Sequence, residues 1–416
     1  MTFSPADILI PKTSDKTLWS VVACDQYTSE TQYWDEVENI TKDKISSYHL
    51  ILPEIYLEKD GVDERISKIN QTMASYCKDG AFDEYKSAFF YVERIQRNGK
   101  IRRGIIGAVD LEDYEYTKGS KLAVRATEGT VTERIPPRLK VRIDACLELP
   151  HVMLLIDDRK KCIIEKLSSV KDSFEKVYDF DLMMDSGHLT GWLINDEYTE
   201  YIKSELDKLG DINNFNSKYG VNEEKPLVYA VGDGNHSLAT AKEYYRQIKE
   251  SGGDTSLARF ALAELVNLHD ESLVFEAIHR VVFDVDVDKF ELELSKICSE
   301  GQKDGAQSFV FVTADGEKVF SFNAPSANLT VGSVQQFIDD YISKNGGRVD
   351  YIHGDDVVRS LSSTPNTCGI LLDAMDKNDL FKTVVLDGAL PRKTFSMGDA
   401  CDKRFYNEAR IINKNF

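Results

Sequence analysis

Hydrophobic and polar positions change their spacing most sharply in one stretch of this chain. Residues 227–231 form an apolar run that meets Gly232-Asp233-Gly234-Asn235-His236-Ser237, after which Ala239, Ala241, Tyr244 and Tyr245 recur at helical intervals. The pattern predicts a strand, a tight polar turn and a helix. A similar plan occurs near the start. Residues 18–23 read as a buried strand running into Cys24-Asp25-Gln26-Tyr27-Thr28-Ser29, with Glu30, Thr31 and Gln32 supplying a helix start. Asp25 and Gln26 would then stand at a strand's carboxyl end, where open α/β sheets usually bind ligands.

Elsewhere the pattern predicts a surface helix over 62–77 and two strands, 87–95 and 101–111, joined by a hairpin at Asn98-Gly99. Residues 146–156 read as a strand, with 162–167 as its partner and Asp157-Asp158 as the turn between them. Two short strands flank Ser186-Gly187-His188, a helix covers 197–209, and a Gly- and Asn-rich connection spans 210–224. After the central helix, residues 258–268 read as a strand ending at His269-Asp270. This completes a crossover unit, right-handed if its strands are parallel. A strand at 281–286, a helix to Cys298, a hairpin through Ala314-Asp315-Gly316, a helix over 334–342 and a strand at 369–375 follow.

The expected fold class is α/β with α+β mixed sheets. At 416 residues the chain is long for one core. The expected organisation is multi-lobed: an N-terminal α/β region at 1–140, a central α/β region at 141–286 carrying the turn, and a C-terminal α/β region at 287–416.

Charge narrows the partners. The 51 basic and 70 acidic residues give a net charge of −19, which argues against a nucleic-acid partner bound by neutralising phosphates. No run approaches the roughly 20 apolar residues of a membrane span, and the N-terminus lacks the basic-then-apolar plan of a signal peptide. A cytoplasmic protein with no membrane partner is expected. The seven cysteines contain no CxxC pair and the seven histidines no HExxH, so no protein-held metal is expected. A magnesium ion carried in with a nucleotide would keep most of its waters and needs no such motif.

Three segments carry candidate chemistry. In the central turn, Gly232 and Gly234 let a ligand approach the backbone, Asn235 or Ser237 can cap the helix, and the first helical amides suit a phosphate or carboxylate. An isolated Gly-Asp-Gly turn can equally be a self-stabilised turn, but such a turn does not require His236. The second segment, 121–142, sets Arg125, Arg134, Arg138 and Arg142 with two lysines against only Glu128 and Glu133. It is a basic island in an acidic chain, and reads as a solvated basic face or as an anion-gripping site. Pro136 and Pro137 would begin a helix at Arg138. In the third, Arg392, Lys393 and Thr394 occupy a loop near the C-terminus. Cys24 reads as a buried thiol, since no histidine partner is visible.

Together VGDGNHSLATAK, RATEGTVTERIPPRLKVR and LPRKTFSMGD, with VNLHD between, resemble the bacterial and archaeal family of domain of unknown function 1015 over nearly the whole chain. Many members have Asp-Gly-His-His-Arg in the turn. Here Asn235 replaces the first histidine and Ser237 the arginine, and Thr127 stands where many have histidine. A local likeness of the turn to the sulfiredoxin and partition-protein-B fold, which includes free-serine kinases, implies a phosphate at the turn. The missing arginine places that contact in doubt unless Arg125, Arg134 or Lys393 replaces it.

The expected function is a phosphate- or nucleotide-binding enzyme of small-metabolite metabolism, performing phosphotransfer or phosphate-ester chemistry on serine- or phosphoserine-like substrates. Asp233, His236 and Glu128 are the acid-base candidates. Gly232, Gly234, Asn235, Ser237, Arg125, Arg134, Arg138, Lys393, Thr394, Asp25 and Gln26 are the binding candidates. A Ser–His pair within the turn is disfavoured, because His236 and Ser237 are adjacent and do not face one another on a helix. The rival reading is a non-catalytic sensor or carrier of a nucleotide or phosphorylated metabolite.

Overall fold

Why the chain doubles back on itself is clearest at Asn98-Gly99. Gly99 adopts φ 80°, the Asn98 side chain accepts from the Lys100 amide, and Phe90–Ile95 pairs antiparallel with Ile101–Asp110. This hairpin forms the middle of a mixed α/β structure. The computed structural model describes residues 1–130, 132–149 and 151–414; Val131 of the basic segment and Pro150 of the 146–156 run lie outside them. Two compact units are present: Met1–Leu273 with Asp399–Phe416, and Val274–Gly398. They do not follow the divisions at 140 and 286, because strands on both sides of 140 share one sheet.

Among the described residues the first unit holds a ten-stranded sheet. Its main path runs Glu175–Asp181, His188–Leu193, Phe90–Ile95, Ile101–Asp110, Phe260–Asn267, Met153–Ile156, Tyr229–Asp233, Val124–Ala126, Tyr114–Glu115. The central strands are continuous apolar runs because both faces are covered: Leu154, Leu155 and Ile156 are fully buried, as are Val231, Leu262 and Leu265.

The predicted strand–turn–helix–strand unit is present as Tyr229–Asp233, Asn235–Glu250 and Phe260–Asn267. Its strands are not a parallel pair. Met153–Ile156 lies between them, antiparallel to the first and parallel to the second, so the crossover rule does not apply. Residues 18–23 form the end of a short helix, Lys16–Trp19, and a two-residue strand, Val21–Val22. Residues 162–167 are mostly helical, Ile164–Ser168, because the Asp158 carboxylate accepts the Cys162 and Ile163 amides instead of turning a hairpin. The 210–224 connection contains a helix, Ile212–Tyr219, capped by Asp211.

The C-terminal residues 399–414 return to the first unit. Phe405–Tyr406 pairs with Val21–Val22, and Arg410–Ile411 pairs with Leu147–Glu148. Arg404 bonds Glu264 at 2.7 Å in the buried interior and also bonds Glu408.

The second unit contains a six-stranded antiparallel sheet and a two-stranded one, Phe275–Ala277 with Phe395–Met397. Phe290, Val334 and Ile338 from the helices Val287–Ser295 and Thr330–Asn345 cluster with Val282, Phe309 and Phe311. Val358 of Asp355–Ser362 clusters instead with Val281 and Val312, whose side chains alternate to the opposite face. Among the described residues, no helix is long and apolar enough to cross a membrane.

Candidate functional site

Two of the three candidate segments meet through strand register. Val124–Ala126 runs parallel to Tyr229–Asp233 with Ala126 opposite Val231, so residues 127–130 leave the sheet beside the central turn. The Thr127 hydroxyl fixes this junction by donating to the Val231 carbonyl at 2.6 Å.

The turn requires its glycines. Gly234 has φ 79°, and a Cβ there would lie 2.9 Å from the Val152 backbone. At Gly232 a Cβ would meet Leu155 at 2.8 Å. The helix begins at Asn235 with Gly234 as N-cap and no side-chain cap, so neither Asn235 nor Ser237 performs the expected capping. The first-turn amides therefore keep their outward orientation. Asn235 Oδ1 and His236 Nε2 are buried without a hydrogen-bond partner. Burial, with Arg138 and Arg134 nearby, pushes the His236 pKa down to about 4, leaving a neutral imidazole at pH 7.

Ser237 does have a histidine partner, from another element. Its Oγ lies 3.2 Å from His151 Nε2, and Asp25 Oδ2 is 3.5 Å from the same nitrogen. His151 Nδ1 meets the Tyr406 hydroxyl at 2.9 Å, and that hydroxyl also accepts the Cys24 amide. In a serine-nucleophile triad the acid and the serine sit on opposite ring nitrogens; here both face Nε2. Burial opposes charge on His151, but Asp25, with Asp233 and Glu54 beyond, outweighs it and raises the pKa. Burial likewise acts against the Asp25 charge, yet His151 and Lys403 hold its carboxyl well below the usual range. Gln26 donates to Asp25 at 2.9 Å.

Asp233 accepts the Gly234 amide at 2.9 Å and pairs with Lys403 Nζ at 3.3 Å. His151, Lys403 and Tyr406 were not visible as site residues in the sequence: two come from the C-terminal return, and the histidine lies on a buried approach to a strand. Cys24 is half-buried rather than buried, and desolvation with Asp25 beside it pushes its thiol pKa up to about 12.

The basic island is largely neutralised within the fold. Arg125 is buried, donates to the Leu122 and Lys225 carbonyls and faces Glu223 at 3.6 Å, so its guanidinium is engaged away from an anion. The island's helix starts at Ile135, earlier than expected, with both prolines in its first turn. Arg138 bonds Glu54 and the Arg134 carbonyl, and Arg142 bonds Glu148. Arg134 is exposed, and Glu128 is half-buried.

Lys393 and Thr394 belong to the second unit. There the buried Arg280 donates to the Arg392 and Lys393 carbonyls. The Thr394 hydroxyl donates to Pro391 at 2.6 Å, which ties it to its own loop. Among the described residues, Asp399, Cys401 and Asp402 place potential metal-ligating atoms within 4.8 Å of one another, but Asp402 already accepts the Arg97 amide.

Solved structures with related shape include a free serine kinase in complex with AMP, at 11% identity and TM-score 0.37, covering 72% of this chain and 90% of that one. SbnI with a C-terminal truncation, from Staphylococcus aureus, is 10% identical with TM-score 0.38, covering 73% and 85%. A conserved hypothetical protein from Pyrococcus furiosus is 10% identical with TM-score 0.34, covering 72% and 92%. No curated protein matches the sequence. The model of the family described as protein of unknown function (DUF1015) matches residues 6–341, and the chain belongs to that family.

Proposed function

We propose that the first unit binds the phosphoryl group of a nucleotide or small phosphorylated metabolite at the Gly232–Ser237 turn and transfers it to or from a hydroxyl. One observation carries this reading. The uncapped start of a sixteen-residue helix leaves His236 Nε2 buried without a partner, able to donate to an anion as the Nε2–H tautomer, within the field of Arg134 and Arg138; Asn235 Oδ1, also unpartnered, is an acceptor suited to a substrate hydroxyl. Helix-end amides and the exposed guanidinium of Arg134 together favour an anion, whereas Arg138 is already paired with Glu54.

Lys403, between Asp233 and Asp25, would offset charge developing during transfer. The acceptor oxygen would form the new P–O bond as the bond to the leaving oxygen breaks, its proton passing to His236, Asp233 or Glu128. A bound anion would raise the basicity of the neutral His236 from its low value. A nucleotide would bring its own magnesium, for which Asp25 and Asp233 are the nearby carboxylates.

The test is calorimetric titration with inorganic phosphate, AMP, ADP and phosphoserine. Binding weakened about tenfold by Arg134→Ala supports the cradle, and absence of binding by all four refutes it. Turnover that disappears in Asp233→Asn while affinity persists assigns an enzyme. Tight binding without turnover in the unaltered protein assigns a sensor or carrier.

A further inference from the structure

Beside the turn, within the first unit, lies a cavity of about 150 Å³. Much of its wall is hydrocarbon, including Leu52, Met73, Val141, Leu149, Leu238 and Ala241. Its polar lining includes Cys24, His151, Ser237 and Tyr406, which form one connected patch because Tyr406 and Ser237 both bond His151 while the Cys24 amide bonds Tyr406. The guanidinium groups on the wall are already paired, Arg138 with Glu54 and Arg142 with Glu148.

Native interiors keep few voids larger than a water molecule. Ala145, Ala241 and Ala261 stand on this wall, where longer side chains would close the space. A cavity of this volume with apolar walls accommodates a benzene-sized group.

We infer that the metabolite handled at this site carries an apolar group of roughly six non-hydrogen atoms that enters the cavity, with its polar end at the Ser237–His151–Tyr406 patch. The inference rests on the phosphate reading and narrows it: a serine-sized substrate would leave most of the apolar wall uncovered. Ser237 joins the two parts, since it lies in the first turn of the helix and also lines the cavity.

The test is titration of the full chain with monoalkyl phosphates from methyl to octyl, and with 1-hexanol. Affinity is expected to rise about fourfold per added methylene up to about six carbons and then level off. Ala241→Leu and, independently, Ala145→Leu should flatten the series without changing methyl phosphate affinity. Hexyl phosphate binding no tighter than methyl phosphate in the unaltered protein overturns the inference, and if methyl phosphate binds, the phosphate reading survives alone. Binding of 1-hexanol that Ala241→Leu removes, with no binding of methyl phosphate, keeps the cavity assignment and overturns the phosphate cradle.

Discussion

Glu264 is a carboxylate of the central sheet that pairs with Arg404 of the C-terminal return. It is buried, with Arg404 at 2.7 Å and Arg102 at 3.4 Å. Arg94 stands close enough to favour its charge, and burial with Arg102 beside it pushes the Arg94 pKa down to about 9. Replacing Glu264 by alanine would leave this arginine group short of its shared anion. Removal of one partner from a buried ion pair costs about 3–5 kcal/mol, a large part of the roughly 5–15 kcal/mol that holds a domain folded. With a urea dependence near 2 kcal/mol per molar, the unfolding midpoint should fall by about 2 M. All three tryptophans, Trp19, Trp34 and Trp192, lie in the first unit and are buried, so tryptophan fluorescence during urea unfolding reports on that unit. Glu264→Gln should fall between the two proteins, because an amide retains one acceptor oxygen. A midpoint within about 0.3 M of the unaltered protein, less than a third of the shift expected from this cost, would show that the arginines find other partners. Arg404 adjoins Lys403 and lies two residues from Tyr406, so the same variant should weaken phosphate binding in native buffer.

Gly234→Ala should cost at least about 1–2 kcal/mol through the left-handed backbone alone, with the approach to Val152 adding to it; an unchanged thermal midpoint would contradict the turn geometry. Cys24, though half-buried, should react slowly with iodoacetamide in the native protein and faster once unfolded, as peptide mass spectrometry can follow, because desolvation and Asp25 raise its thiol pKa to about 12. The His151 pKa is raised above 6.5 in the fold, so its contribution to stability is complete below about 6.5 and is lost as pH rises through the folded value. Asp25→Asn should lower the His151 titration midpoint seen by NMR, and an unmoved midpoint would remove Asp25 as the cause. His236 has the opposite sign: its folded pKa is about 4 against 6.5, so its burial destabilises the protein as pH falls from about 6.5 towards 4. His236→Gln should flatten that part of the pH–stability profile.

The elements read correctly were those whose signal is local. Asn98-Gly99 encodes its own hairpin through a glycine at φ 80°, and the passage from an apolar run to helical spacing marked the central turn within a few residues. Errors arose where a distant partner or a side-chain cap decided the outcome. Asp157-Asp158 has turn composition and Asp158 does head a turn, its carbonyl accepting the Lys161 amide, but its carboxylate takes the Cys162 and Ile163 amides and leads the chain into a helix instead of a partner strand, while Asp157 bonds His269 at 2.6 Å and Lys218 at 2.9 Å. The basic island shows the same limit in electrostatic terms. Charge density along the chain is not charge density in space: Arg125, Arg138 and Arg142 each find an acid outside their own segment, at Glu223, Glu54 and Glu148. Lys403 carried no sequence signal, yet it reaches the Asp233 carboxylate because Phe405–Tyr406 pairs with Val21–Val22 and returns the chain to the turn. Position relative to the turn, more than the local count of basic residues, determines which cations could serve the anion proposed there, and this makes Lys403 a stronger candidate than Arg125 for that role.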